Sequence, residues 1–396
     1  MNLQQDLIIV GGGIAGLWLL ARARQAGYSA LLLERDALGA GQSVASQGMI
    51  HGGMKYALGG TLTNASEAIA DMPAYWRACL RGEGDVDLRG TRLLSDTYYL
   101  WPRRSLRSRL NAFLGSKAVR GKVDAVAAAE QPAFFHGHDA GPLYRLHDLV
   151  FDVPSLLHTL AAPHANCIGQ LDPLQCRFET DAAQGGLRAL LLPDGTRLGA
   201  ERFIFSAGAG NEALLAALAL PQTPVPAMQR RPLRMTLVKH RMRDPLYVHC
   251  VSDQLTATPE LTITTHPCRD GRTAWYLGGE LAESGATRDA AQQEQAARTL
   301  LDALFPWCDF TGAEFSSFPI DRAEARQSGG KRPDQDSLLP HGNVFCCWPT
   351  KLTLAPNLAN RVLALLNEQG VIPHHPQATA LPLPRPVVAL PPWDRA

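Results

Sequence analysis

Several features are scarce or missing in this chain of 396 residues, and each absence excludes a class of protein. No uninterrupted apolar run approaches the roughly 20 residues that a helix needs to cross a bilayer, so we expect no transmembrane segment. Asp6 interrupts the apolar start of the chain, which argues against a signal peptide. The formal net charge is only +1, so no overall field favours nucleic acid or a membrane surface.

Cysteine clusters and hydrolytic or metal-binding residue sets are also missing. The eight cysteines are scattered, with no Cys-x-x-Cys pair. In a chain of this length such thiols are typical of a reducing compartment, and we expect a cytoplasmic location. No Ser/His/Asp set and no set of metal ligands occurs at a recognisable spacing, so the sequence predicts neither a hydrolase nor a metal site.

The first 34 residues carry the most informative pattern in the chain. It begins with an apolar strand at 7–10, which runs into a Gly-x-Gly-x-x-Gly pattern at 11–16. A helix at 14–26, a second apolar strand at 30–33 and the acidic residue at 34 follow. Gly11 permits a tight turn, Gly13 lets backbone N–H groups approach a pyrophosphate, and Gly16 lets the helix pack closely on the strand. Glu34 is placed to accept hydrogen bonds from a ribose hydroxyl. The pattern predicts a dinucleotide site at a helix N-terminus.

The rest of the chain indicates one domain inserted into another. Predicted helices lie at 64–81, from 154 onward, at 287–304 and at 356–369, and further apolar strands lie at 187–193, 197–205 and 344–348. Four runs separated by turn residues, 231–239, 246–252, 260–266 and 273–281, are typical of an antiparallel sheet. We therefore predict an α/β fold in which a discontinuous Rossmann-like domain carries an inserted substrate (cap) domain with a mixed or antiparallel sheet.

The predicted domain bounds are 1–85, 146–222 and 333–372 for the nucleotide-binding domain, 86–145 and 223–332 for the substrate domain, and 373–396 for a tail. The tail is rich in proline, so we expect it to be extended and poorly packed.

Four stretches in this order resemble the D-amino-acid oxidase (DAO) type of FAD-dependent oxidoreductase, which includes glycine oxidase, sarcosine oxidase and glycerol-3-phosphate dehydrogenase. They are 11–16 with Glu34, SVASQGMIHGG at 43–53, FSAGAG at 205–210 and WPTKLTLAP at 348–356. The resemblance implies FAD rather than NAD as the cofactor. It implies FAD contacts from Gly11, Gly13, Ile14, Ala15, Gly16, Glu34, Arg35, Ser43, Ala45, Ser46, Gln47, Gly48, Met49, Ala207, Gly208, Lys351, Leu352 and Thr353.

Two residues in these stretches are candidates for chemistry at the flavin. The stretch 49–54 is similar to the glycerol-3-phosphate and L-2-hydroxyglutarate dehydrogenases, which implies that His51 lies near the flavin face. There it either accepts a hydroxyl or ammonium proton or only hydrogen-bonds the cofactor or backbone. The resemblance also implies that Lys351 stabilises negative charge at the flavin pyrimidine edge; the alternative is a solvent-exposed lysine.

The family commonly binds a substrate carboxylate with an arginine on a strand of the second domain, because its guanidinium fork is bidentate. Arg322 lies at about the family spacing, whereas Arg332 stands in a local Arg-Pro pattern. Spacing favours Arg322, with Arg326 and Arg332 nearby; the alternative is a salt bridge from Arg322 to Asp321 or Glu324. Tyr247 and Tyr276, on the predicted antiparallel strands, are further candidates for the pocket wall or for the core.

A basic run has no counterpart in the resemblance. Seven Lys and Arg residues and no acidic residue lie between 101 and 123: Arg103, Arg104, Arg107, Arg109, Lys117, Arg120 and Lys122. The run at 103–122 is either a solvated surface, which we favour, or a peripheral contact with an anionic partner.

The leading hypothesis is an FAD-dependent oxidoreductase that oxidises a small amino or hydroxy acid. Its partners would be a substrate that carries a carboxylate and, as acceptor of the electrons, O₂ or an electron carrier. The alternatives are an FAD-dependent enzyme that modifies tRNA or another RNA and grips phosphates with the basic run, and a flavin-binding protein without catalysis.

Overall fold

The computed structural model describes residues 1–53, 69–102, 123–138, 140–181, 185–218, 220, 225–252, 258–374 and 381–395. The basic run at 103–122 lies outside the described residues, as does the first part of the helix predicted at 64–81.

The first sheet places parallel apolar strands at its centre. Its eight described strands follow the order β10-β11-β12-β1-β2-β9, with β19 beside β12 and β18 beside β19. Their bounds are β1 Asn2–Val10, β2 Ala30–Glu34, β9 Ile168–Gln170, β10 Arg177–Asp181, β11 Gly186–Leu191, β12 Arg197–Phe205, β18 Ser337–His341 and β19 Val344–Trp348. The central pairs β2–β1, β1–β12 and β12–β19 are parallel. Helices cover such strands on both faces, which explains their nearly continuous apolar sequences.

The helices around this sheet are α1 Ile14–Gln25, α2 Met72–Leu80, α3 Val153–Ala161, α4 Asn211–Leu218 and α7 Ala355–Glu368. The residues of α1 and α7 share one hydrophobic core with one face of the sheet. Within the described part of the helix predicted at 64–81, residues 69–71 are not helical, and α2 begins at Met72. Pro73 lies in the first turn of α2, where its missing N–H costs nothing, and it disfavours helix before it.

The second sheet is largely antiparallel, in the order β17-β13-β16-β15-β14-β5-β7-β6. Its strands are β5 Tyr98–Pro102, β6 Val123–Val126, β7 Leu143–Leu146, β13 Met228–His240, β14 Val248–Val251, β15 Leu261–Pro267, β16 Thr273–Gly278 and β17 Glu314–Ala325. One pair, β14–β5, is parallel. The helices α5 Glu280–Ser284 and α6 Ala290–Leu304 accompany it, and a small third sheet joins β3 Met49–Ile50, β4 Leu93–Ser95 and β8 Leu149–Phe151. The predicted fold class, a Rossmann-like domain with a mixed-sheet second domain, is confirmed.

None of the described helices has the length and apolar character required to span a membrane.

The proline-rich tail is packed, contrary to the prediction, over its described residues 381–395. Leu38 donates its N–H to the carbonyl of Val387, and its own carbonyl accepts from Ala389. Trp393 is only 2% exposed, and its ring stacks on His266 with centroids 3.9 Å apart. The prediction failed because proline content describes only the local backbone, whereas a buried tryptophan supplies enough apolar area to fix an extended segment.

This packing gives a first testable prediction. We expect Trp393→Phe to lower the free energy of unfolding by about 1 kcal/mol, because part of the stacked area on His266 is lost. Urea unfolding at saturating cofactor would measure it. The control is Leu390→Ala in the same segment, a half-exposed position where we expect a change within about 0.5 kcal/mol. Equal effects of the two substitutions would contradict a docked segment.

Candidate functional site

A cavity of about 800 Å³ lies between the two large sheets. One side is formed where β1, β2, β12 and β19 end, and the other by side chains of β13 and β17. In open parallel sheets, ligands bind outside the carboxyl ends of the strands, where strand order reverses. The cavity is therefore where the topology expects a ligand.

The glycine turn forms one end of this cavity. Gly11 has φ +108°, and a Cβ there would lie 2.6 Å from the backbone nitrogen of Ala207. Gly13 is the N-cap of α1 and offers no side-chain acceptor to the first turn, although Ser43 Oγ accepts from Ile14 N–H at 3.0 Å. Gly16 does not line the cavity; its missing Cβ lets α1 pack on the Gly11 carbonyl. The turn leaves room at the start of a helix, where the helix dipole favours an anion.

Glu34 ends β2 at the same side of the cavity. One carboxylate oxygen accepts from the N–H of Gly12 and the other accepts from Asp36 N–H at 2.9 Å. Arg35 also lines the cavity and bonds to Asp36, and this hydrogen bond raises the pKa of the guanidinium. A fixed carboxylate next to an uncapped helix N-terminus fits the ribose and pyrophosphate of a dinucleotide such as FAD.

The second and fourth sequence stretches meet at the middle of the cavity. His51 is 7% exposed and lines the cavity, and its backbone N–H donates to Thr353 Oγ1 at 3.4 Å. Thr353 Oγ1 in turn donates to the carbonyl of Met49, while its carbonyl accepts from Trp76 Nε1 at 3.2 Å. These contacts fix the backbone that leads into His51, a residue of the cavity wall.

Lys351 lies at the start of a short 3-10 turn, Leu352–Leu354, that leads directly into α7. The preceding Thr350 has φ +61°, a left-handed conformation that is rare outside glycine. Thr350, Lys351, Leu352 and Thr353 all line the cavity. The N-terminal ends of these helical turns therefore lie at the cavity wall, in the same stretch as Lys351.

Gln47 and Tyr276 connect this wall to the second sheet. Gln47 Nε2 donates to the carbonyl of Tyr276 at 2.8 Å, and the hydroxyl of Tyr276 donates to the carbonyl of Ala45 at 2.7 Å. Tyr276 is fully buried and is not among the described residues that line the cavity. The suggestion that it forms the pocket wall is corrected: it holds the stretch at 43–53 from behind.

The suggestion that Tyr247 forms the pocket wall is corrected in the same way. Tyr247 is buried in a separate apolar cluster, and its hydroxyl donates to the carbonyl of Thr265 at 3.0 Å. Burial raises its pKa, as expected for a core tyrosine, and it is absent from the described cavity lining.

Arg322 lines the cavity but forms neither of the two salt bridges considered from the sequence. Its guanidinium pairs with Glu283 at 3.3 Å, while Glu324 pairs with Arg231 on the neighbouring strand. Arg231 and Arg322 face each other in the β13–β17 register. Burial lowers the pKa of Arg322, and the charges of Arg231 and Arg332 lower it further. Arg322 is thus a partly desolvated cation, flanked by like charge, that benefits from an added anion.

The remaining candidates divide between the cavity wall and other places. Ser43, Ala45, Ser46, Gln47, Met49, Ala207, Gly208 and Arg332 line the cavity together with those already described. Gly48 and Arg326 do not, among the described residues. Gly48 has φ +70° and allows close approach to the carbonyl of Phe151, and Arg326 is exposed beyond the end of β17.

Among the charged cavity residues that the sequence analysis missed are Arg231, Glu283 and Arg395. The only sequence signal for Arg231 as a site residue was its positive charge within a predicted strand. Glu283 lies in the short helix α5, and Arg395 lies in the tail, so neither offered a signal that distinguished it from a surface residue.

Comparison with known proteins gives concordant results. A family model described as "DAO: FAD dependent oxidoreductase" matches residues 6–347. The chain is 48% identical over 400 residues to the "Probable FAD-dependent oxidoreductase PA4991" of Pseudomonas aeruginosa, covering 100% of this chain and 98% of that protein. The crystal structure of PA4991 superposes with a TM-score of 0.83, at 44% identity, over 99% of this chain and 98% of that one.

More distant structures share the fold. Glycine oxidase from Geobacillus kaustophilus has a TM-score of 0.65 at 17% identity, covering 92% of this chain and 95% of its own. The L-alpha-glycerophosphate oxidase of Mycoplasma pneumoniae, whose structure contains FAD, has a TM-score of 0.65 at 13% identity with the same coverage.

Proposed function

Because this chain belongs to the DAO family of FAD-dependent oxidoreductases, we propose that it oxidises a small amino or hydroxy acid at the carbon next to the carboxylate. Bound FAD supplies the hydride acceptor at its N5 atom. The observation that carries the proposal is that one cavity contains the dinucleotide-type turn at Gly11, a buried imidazole at His51 and a partly desolvated arginine at Arg322. A carboxylate binder and a proton acceptor are what this reaction class requires of the protein.

We propose that Arg322 binds the substrate carboxylate. Its pairing with Glu283 fixes the guanidinium but leaves Nε buried without a hydrogen-bond partner among the described residues. A carboxylate at this position would complete the donor set and offset the repulsion from Arg231 and Arg332. Arg332 also lines the cavity and is the second candidate.

His51 is proposed as the group that accepts the proton of the substrate hydroxyl or ammonium, because an imidazole titrates near neutral pH and this one is held on the cavity wall. Lys351 is proposed to stabilise negative charge that develops beside it, together with the helical turns that start there. The acceptor of the electrons is proposed to be O₂ or an electron carrier. We also propose a cytoplasmic location, supported by eight free cysteines.

The experiment that tests this function is anaerobic bleaching of the flavin absorbance. Purified holoprotein is mixed with a panel of amino acids and of hydroxy acids, and reduction is followed in a stopped-flow instrument. We expect bleaching by members of one class, which also decides between C–N and C–O oxidation. If neither class reduces the flavin, while dithionite does, the proposed substrate class is wrong.

A substitution tests the carboxylate site separately. We expect Arg322→Gln to raise KM about 30-fold with a smaller change in kcat, since a hydrogen-bonded charge is worth about 2 kcal/mol. Steady-state kinetics with the best substrate of the panel measures it. Arg326→Gln is the matched control, because Arg326 is exposed and away from the cavity. An unchanged KM in Arg322→Gln would exclude Arg322 as the carboxylate-binding residue and leave Arg332 as the candidate.

A further inference from the structure

The segment 381–395 runs from the first sheet to the second and reaches the cavity. Its start is tied to the first sheet, where Gln170 N–H donates to the carbonyl of Pro384 at 2.6 Å. Its far end is anchored on the second sheet, where Trp393 packs in a cluster with Met235, Leu237 and Tyr276. The last described residue, Arg395, lines the cavity.

Arg395 is held by its neighbours rather than by an acidic partner. Its Nε donates to the carbonyl of Leu390 at 3.0 Å, and Asp394 Oδ1 accepts from Arg269 N–H at 2.9 Å. Among the described residues no carboxylate pairs with Arg395, and its charge opposes the rise that burial causes in the pKa of Tyr276. A positioned guanidinium without an acidic partner at a cavity wall is a binding group for an anion.

The two arginines reach the cavity wall from different elements, Arg322 from β17 and Arg395 from the segment 381–395. In the strand register, Arg322 faces Arg231, whereas Phe318 faces Met235. Met235 belongs to the cluster that holds Trp393. It lies four positions along β13 from Arg231, which corresponds to a rise of about 13 Å along the strand. Several apolar side chains along this stretch of β13 and β17 line the cavity: Leu233, Met235, Phe318 and Ile320.

We propose that Arg395 binds a second carboxylate of the substrate, at the end of a side chain that crosses the apolar part of the cavity, so that the enzyme prefers dicarboxylic amino or hydroxy acids. The inference rests on the proposed function, since it assumes that the first carboxylate is bound at Arg322. It assigns a specificity-determining role to a segment that lies outside both sheets.

Binding of unreactive carboxylates tests this without turnover. Propionate, butyrate and valerate are compared with succinate, glutarate and adipate by titrating the holoprotein and following the perturbation of the flavin absorption spectrum. We expect the best dicarboxylate to bind about tenfold more tightly than the monocarboxylate that differs from it only by lacking the second carboxylate. In Arg395→Gln we expect this ratio to fall to about one, while the Kd of the monocarboxylate changes less than about twofold.

Arg385→Gln is the matched control, since Arg385 lies in the same segment and bonds to Asn166 on the protein surface. It should keep the wild-type ratio. A wild-type protein that binds monocarboxylates without preferring dicarboxylates, or an Arg395→Gln variant that keeps the preference, would overturn the inference and leave the proposed function intact. If no carboxylate of either kind perturbs the spectrum, the carboxylate site itself fails, and the proposed substrate class fails with it.

Discussion

Replacing Gly11 with alanine should give a folded protein that has lost nearly all of its FAD. The residue has φ +108°, and a Cβ would lie 2.6 to 2.7 Å from backbone atoms of Ser206 and Ala207. Neither neighbour is a flexible side chain, so the turn itself must move. The N-terminus of α1 follows two residues later and would be displaced from the pyrophosphate that we propose it holds. We expect at least about a 100-fold rise in the Kd for FAD, roughly 3 kcal/mol.

The measurement is the ratio of flavin to protein after purification, followed by titration of the apoprotein with FAD. Gly312→Ala is the matched control, because Gly312 also has a left-handed backbone, φ +76°, but nothing lies within 4 Å of its Cβ position. It should cost about 1 kcal/mol of stability through strain alone and bind FAD normally. Circular dichroism shows whether each variant is folded. A folded Gly11→Ala protein with wild-type affinity for FAD would refute the assignment of this turn to the pyrophosphate.

The second large effect is expected at His51. We expect His51→Gln to bind FAD and substrate with little change but to reduce the flavin about 10²- to 10⁴-fold more slowly, because the proton acceptor is gone. The hydrogen bond that fixes this residue uses its backbone N–H, which glutamine retains, so the wall of the cavity should stay in place. Anaerobic stopped-flow reduction measures the rate, and flavin content measures cofactor binding.

The pH profile separates this role from a structural one. An imidazole that accepts the substrate proton must be neutral, so we expect kcat of the wild-type enzyme to fall at low pH and His51→Gln to lose this dependence. His136→Gln, at an exposed position, is the control and should keep both rate and profile. If His51 only hydrogen-bonds the cofactor, the substitution would instead alter the flavin spectrum or its Kd, with kcat within a few-fold of wild type and the same pH profile.

The sequence predicts the parts of this molecule that depend on short-range constraints. The turn at 11–16 is one example, since the positive φ of Gly11 and the close packing at Gly16 are demanded within one strand-turn-helix unit. The mixed-sheet second domain was also predictable, because its strand runs and turns alternate along the chain. Pro73 is a local signal for the first turn of α2, because its fixed φ suits that position.

Side chains that meet across strands were not predictable to the same degree. The sequence gives Asp321 and Glu324 as the alternative salt-bridge partners of Arg322, yet its partner is Glu283 in α5, about forty residues earlier in the chain. In the register of β13 against β17, Glu324 forms its salt bridge with Arg231 instead. A single sequence does not fix such registers, because shifting a strand by two residues keeps the same side chains buried and changes every partner.

Local backbone chemistry, then, was settled by the residues themselves: small side chains where the chain turns sharply, apolar runs where strands are covered on both faces, and an acid where β2 ends. Only the tertiary structure decided which cations share one cavity and that the proline-rich tail reaches it. The physical reason is that these contacts form only after remote segments have come together. Docking of Trp393 on His266 buries apolar area, and pairing of Arg322 with Glu283 brings opposite charges together.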